Sequence, residues 1–91
     1  MITGKGYLNL RDGHTTEVLY QFASDFDDRR AGYLLFDTTK FEDGQFCHRL
    51  ILECDDGTTV VLVVMNRSDK VLAFHGRVLE PVGEAAVSRN F

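Results

Sequence analysis

Two Asp-Gly pairs, Asp12-Gly13 and Asp56-Gly57, stand 44 positions apart, each flanked by runs in which apolar and polar residues alternate. That pattern is a strong hairpin signal, because glycine supplies the positive φ a tight turn demands. Other turn signals recur at short, even spacing: the polar stretch 24–30, the longer connection 38–45 with Gly44 near its end, and Asn66-Arg67-Ser68-Asp69. Between them lie segments rich in β-branched and aromatic residues, the composition of strands. The reading is six strands, over 2–10, 15–23, 31–37, 46–54, 58–65 and 70–80. Pro81 has no amide hydrogen for a ladder and ends the last one. The tail 81–91 contains Glu84-Ala85-Ala86-Val87, too short for an independent helix and read as loop.

Displacing the sequence by 44 positions lays the first half on the second. Leu8 falls on Leu52, Asp12-Gly13 on Asp56-Gly57, Thr15 on Thr59, Ser24-Asp25 on Ser68-Asp69, Gly32 on Gly76 and Leu35 on Leu79. The coincidences gather at turns and at the glycine of each third strand, so 1–44 and 45–88 read as two similar three-stranded meanders. The fold class predicted is all-β: a six-stranded antiparallel meander forming a small barrel or two-layer sandwich, in one domain over 1–91. A chain of 91 residues has surface to bury for one core only.

Strand phase separates two faces, since alternate side chains point to opposite sides. One phase collects Leu8, Leu10, Thr16, Val18, Tyr20, Phe22, Gly32, Leu34 and Phe36. In the second half it collects Phe46, His48, Leu50, Leu52, Cys54, Val60, Leu62, Val64, Leu72, Phe74, Gly76 and Val78. This almost wholly apolar set is the expected core. The opposite phase is mixed on most strands, with Asn9, Glu17, Gln21, Asp37, Arg49, Glu53 and Arg77. The fifth strand departs from this: Val61, Val63 and Met65 make its second face apolar too, with Ile51 beside it on the fourth. Strands apolar on both faces are normally covered twice. Together with Tyr7, Leu19, Tyr33 and Leu35, these residues form a candidate interface, covered by the tail through Val87 and Phe91 or by another copy of the protein.

Charge and composition narrow the field. A net charge of −4 lacks the clustered Lys and Arg that phosphate backbones require, so no nucleic-acid partner is expected. No apolar run reaches the ~20 residues that span a bilayer, and none follows a basic start as in a secretory signal, so no membrane partner and a cytoplasmic location are expected. In that compartment a lone pair of cysteines, Cys47 and Cys54, stays reduced.

No catalytic constellation stands out. His14, His48, His75, Cys47 and Cys54 lack the Cys-x-x-Cys or His-x₃-His spacing of a metal site, so no metal and no cofactor is expected. The acidic loop Asp25-x-Asp27-Asp28 lacks the glycine and distal glutamate of a calcium loop and is balanced by Arg29 and Arg30. No serine sits in a nucleophile elbow. His48 is the odd member of the inner face, because a buried imidazole needs a hydrogen-bond partner. It suggests a pocket mouth, with Phe22, Phe36, Phe46 and Phe74 as the lining of a small-molecule site inside the barrel. Six strands argue against that alternative, since barrels of about eight strands are already filled by side chains or hold one small ligand. The leading expectation is a non-enzymatic module acting through protein contacts, first as a homodimer, with a small enzyme of unknown class as the third reading after the small-molecule site.

Overall fold

The computed structural model describes residues 2–24 and 27–79. It contains β1 (Ile2–Asn9), β2 (Thr15–Ser24), β3 (Arg29–Leu35), β4 (Arg49–Cys54), β5 (Thr59–Arg67) and β6 (Val71–Leu79). The long connection between β3 and β4 carries two short 3₁₀ turns, Thr38–Lys40 and Asp43–Phe46. The end of the last predicted strand at Glu80 and the tail 81–91 lie outside the described residues.

Each half is a meander, β1-β2-β3 and β4-β5-β6. The two join edge to edge, β3 beside β6 and β1 beside β4, and every pairing is antiparallel. The result is a closed barrel in the order β1-β2-β3-β6-β5-β4, which decides between the barrel and the sandwich. Closure removes the exposed edges that a six-stranded open sheet would present.

The two Asp-Gly turns are alike down to single hydrogen bonds. Gly13 N–H donates to Leu10 O at 3.0 Å and Leu10 N–H to His14 O at 2.7 Å; Gly57 and Cys54 repeat the pattern with Cys54 O and Thr58 O, at 3.0 and 2.8 Å. In both, the aspartate accepts the amide two residues on at 2.9 Å, and the glycine has φ near +90°, at 96° and 92°. The third strands differ in this respect. Leu19 pairs with Leu35 and Tyr20 with Leu34, whereas Val63 pairs with His75 and Val64 with Phe74. The counterparts of Leu34 and Leu35 are thus Phe74 and His75, and the expected superposition of Gly32 on Gly76 and Leu35 on Leu79 is four positions out of register. The even number keeps each side chain on its own face.

Leu8, Leu10, Val18, Tyr20, Phe22, Leu34, Leu50, Leu52, Cys54, Val60, Leu62, Leu72 and Phe74 fill the interior as the alternation predicts. Each large apolar side chain taken from water contributes about 1.5–3 kcal/mol. Phe46 is also buried, but it enters from the end of a 3₁₀ turn rather than from a strand. Beyond it His48 has φ 65°, a left-handed conformation that breaks the alternation, so β4 starts at Arg49 instead of 46. His48 is therefore exposed, which corrects its place on the expected inner face.

The connection between β3 and β4 closes one end of the barrel. Phe36, Phe41 and Phe46 meet there with ring centroids 6.1–6.2 Å apart. Arg67, the last residue of β5, ties the segment down. Its guanidinium donates to Thr38 O and Phe41 O at 2.9 Å, pairs with Asp43, and lies 4.9 Å from the centre of the Phe46 ring. Thr38 is fully buried, and its hydroxyl donates to Ser68 O.

Candidate interaction surface

In a closed barrel the second face of every strand points outward, so Val61, Val63 and Met65 of β5 must lie outside. They do, and among the described residues no element covers them. Following the register around the barrel shows what accompanies them.

One row runs Leu19, Leu35, Val71 across β2, β3 and β6. The next runs Gln21, Tyr33, Ala73 and reaches Met65, which sits in a bulge where two residues of β5 oppose one of β6. Ala31, His75, Val63 and Arg49 form the third row, and Arg29, Arg77, Val61 and Ile51 the fourth. Leu79 and Glu53 flank Thr59 beyond it.

Seven of the eight residues expected at an interface therefore share one continuous outer surface over β2, β3, β6, β5 and β4. Leu19, Tyr33, Val63 and Met65 are well exposed, Met65 at 60%, while Leu35, Ile51 and Val61 are half-buried. Tyr7 is the exception. It lies on β1, between Glu17 of β2 and Glu53 of β4, where two carboxylate neighbours surround it.

Sequence reasoning missed β6. Its outward residues Val71, Ala73, His75, Arg77 and Leu79 run through the middle of the surface, but they are too varied to read as an apolar face. Only the pairing of β6 between β3 and β5 puts them there. The small residues Ala23, Ala31, Gly32 and Ala73 leave a hollow between Tyr33 and Met65 that pattern reading passes over.

The surface has two chemical halves. Around Leu19, Leu35, Tyr33, Val71, Ala73 and Met65 it is mainly apolar, with charge only at its margins, Lys5 beside Leu19 in register and Arg67 beside Tyr33, Val71 and Ala73. Toward the Asp55-Asp56-Gly57 end, an open groove of about 480 Å³ is lined by Arg49, Val61, Val63, His75, Arg77 and Leu79. Arg29 stands beside Arg77 in register. A chain of net charge −4 thus gathers three arginines and a histidine on one apolar floor, with Glu53 at its margin and Asp28 3.9 Å from Arg77.

The residues expected to line an interior pocket are not brought together. Phe22 and Phe74 meet edge to face, 5.9 Å apart, with Tyr20 stacked on Phe22 at 4.7 Å. Phe36 and Phe46 belong to the aromatic group at the opposite end, and His48 is outside. Near the first group, Tyr20 donates its hydroxyl to Asp55 at 3.0 Å; burial and this bond push its pKa upward. Burial, with the carboxylates of Asp56 and Asp55, pushes the Cys54 thiol up to about 11. A thiol held protonated is a poor nucleophile. Cys47 is exposed and both cysteines are free. Among the described residues no three His, Cys, Asp or Glu side chains cluster to hold a metal ion, and no helix is long and apolar enough to cross a membrane.

No family model, curated protein or solved structure matches the chain.

Proposed function

We propose that the protein is a non-enzymatic contact module that binds a second copy of itself through the apolar half of this surface. The observation that carries the proposal is the continuity of Leu19, Leu35, Tyr33, Val71, Ala73 and Met65 across four neighbouring strands, uncovered by any other described element. Large exposed apolar patches on small domains mark sites of association. A two-fold contact sets like residues near like, which a patch with an apolar centre tolerates. The same contact through the basic half would oppose arginine to arginine, at a cost of several kcal/mol.

We read the two meanders as copies of one unit. Support comes from the matched Asp-Gly turns and from Leu8 facing Leu52 across the β1–β4 junction, a pair 44 positions apart. The module would then be a monomer already built on pseudo-symmetry.

Light scattering over a concentration series tests the association. The wild-type chain passes from monomer to dimer mass as concentration rises, and Tyr33→Glu or Met65→Glu holds it at monomer mass with unchanged far-ultraviolet circular dichroism. A wild-type chain that stays monomeric throughout would sink the proposal.

A further inference from the structure

We infer that the basic groove on the outer face of β4, β5 and β6 is the docking site of the chain's own segment 80–91. This rests on the reading of the outer surface as a contact face and divides it: the groove is filled within each molecule, leaving the apolar half for the second copy.

Three observations converge. The first is position: β6 ends at Leu79, which is itself a wall of the groove, so the segment begins at the groove's edge. The second is charge. The groove offers Arg49, Arg77 and His75, with Arg29 adjacent, whereas 80–91 carries Glu80 and Glu84 against one basic side chain, Arg89, and both glutamates lie in the part nearest the groove's edge. The third is the apolar complement, since Val61, Val63 and Leu79 form a floor that Val82 and Val87 can cover.

Length permits it. Thr59 pairs with Leu79, and Val63 lies four residues further along β5, about 13 Å at ~3.3 Å per residue. The segment 80–91 is long enough to cover that distance, and Pro81 and Gly83 are turn-forming residue types. Tethering supplies an effective concentration of the order of millimolar, so contacts whose intrinsic Kd is below about a millimolar fill the site. Carboxylates over arginines on an apolar floor are less screened than fully exposed pairs, though still sensitive to salt.

The test uses the full chain. In a Cys47→Ser background, a nitroxide on Ser88→Cys is read through the amide signals of ¹⁵N-labelled protein, at a concentration that light scattering shows to be monomeric. The signals of Val61, Val63, His75 and Arg77 are expected to broaden beyond detection, while those of Val18 and Leu34 persist. Arg49→Glu with Arg77→Glu restores them. No broadening in the groove overturns the inference. So does broadening that appears only when spin-labelled, unlabelled-nitrogen protein is mixed with ¹⁵N protein, because the segment would then reach a neighbour. Both results leave the dimer to be judged separately by its mass, so the two ideas can fail independently.

Discussion

Arg67 belongs to a turn tetrapeptide that reads as a solvated loop, yet it has a dense set of partners for a surface cation. Two carbonyls, a carboxylate and a ring face meet one guanidinium, on a side chain three quarters hidden from solvent. Its planar fork suits several acceptors at once, which the single ammonium of lysine does not. Arg67→Ala removes the side-chain donor to Phe41 O and one of the two donors to Thr38 O, which keeps the Phe41 amide; it should cost about 2–3 kcal/mol of stability, with Arg67→Lys recovering only part, both measured by urea unfolding. Cys54 makes a different residue-scale prediction. Its folded pKa of about 11 lies above the ordinary value of 9.0, so the folded chain holds the proton more tightly than the unfolded one. The stabilisation is complete below pH 9 and declines as pH rises towards 11. Stability should therefore fall across that window, and Cys54→Ala should reduce the slope. At pH 8 a thiol reagent should modify one cysteine, Cys47, in the folded protein and both after denaturation. Rapid reaction of both in the native state would contradict the buried, proton-holding thiol.

At the scale of elements, strands were legible because the physics that makes them is local. Alternation and turn chemistry locate five of the six to within two residues. β4 was misplaced at its start because a 3₁₀ turn and a left-handed His48 carry no alternation signal, and an apolar Phe46 fits either environment. Register explains the other misreading. Glycines 44 positions apart looked equivalent, but the turn between β2 and β3 is longer than that between β5 and β6, and the third strands slide accordingly. The Asp-Gly turns give an element-scale test. A Cβ on Gly13 or Gly57 meets nothing within 4 Å, so substitution there probes backbone conformation alone. Gly13→Ala and Gly57→Ala should each destabilise by about 1–2 kcal/mol, the cost of forcing an L-residue into the left-handed region. Near-equal values are expected, because the two turns share their hydrogen bonds. Gly76 contrasts with both, since a Cβ there would stand 2.6 Å from the Val61 carbonyl and force the β5–β6 ladder apart.

For the whole molecule, what the sequence withheld was the closure. Two meanders can stack as a sandwich or join at their edges, and an amphipathic pattern satisfies either, because both bury one face of each strand. Only the pairing of β3 with β6 and β1 with β4 distinguishes them, and it also gathers the candidate surface by placing β6 at its centre. The two junctions are unequal. β3 and β6 pair over seven positions, from Arg29–Arg77 to Leu35–Val71, whereas β1 and β4 pair over four, from Gly6–Cys54 to Asn9–Ile51. A barrel opens at its shortest ladder, since fewer hydrogen bonds and cross-strand contacts are lost there before the rest unfolds. Glycine at Gly6 adds to this, contributing no side chain to the seam, while the Glu53 carbonyl 2.6 Å from its missing Cβ leaves no room for one. Hydrogen exchange under native conditions should therefore show the amides bonded across β1 and β4 opening at a free energy below that of global unfolding. Those between β5 and β6, on the far side of β4, should exchange only through the global transition. Urea should separate the two groups further, because the seam exposes less surface on opening and its exchange rates rise less steeply with denaturant. If both sets exchanged with one free energy and one denaturant slope, the barrel would be a single cooperative unit and the seam would have no independent existence.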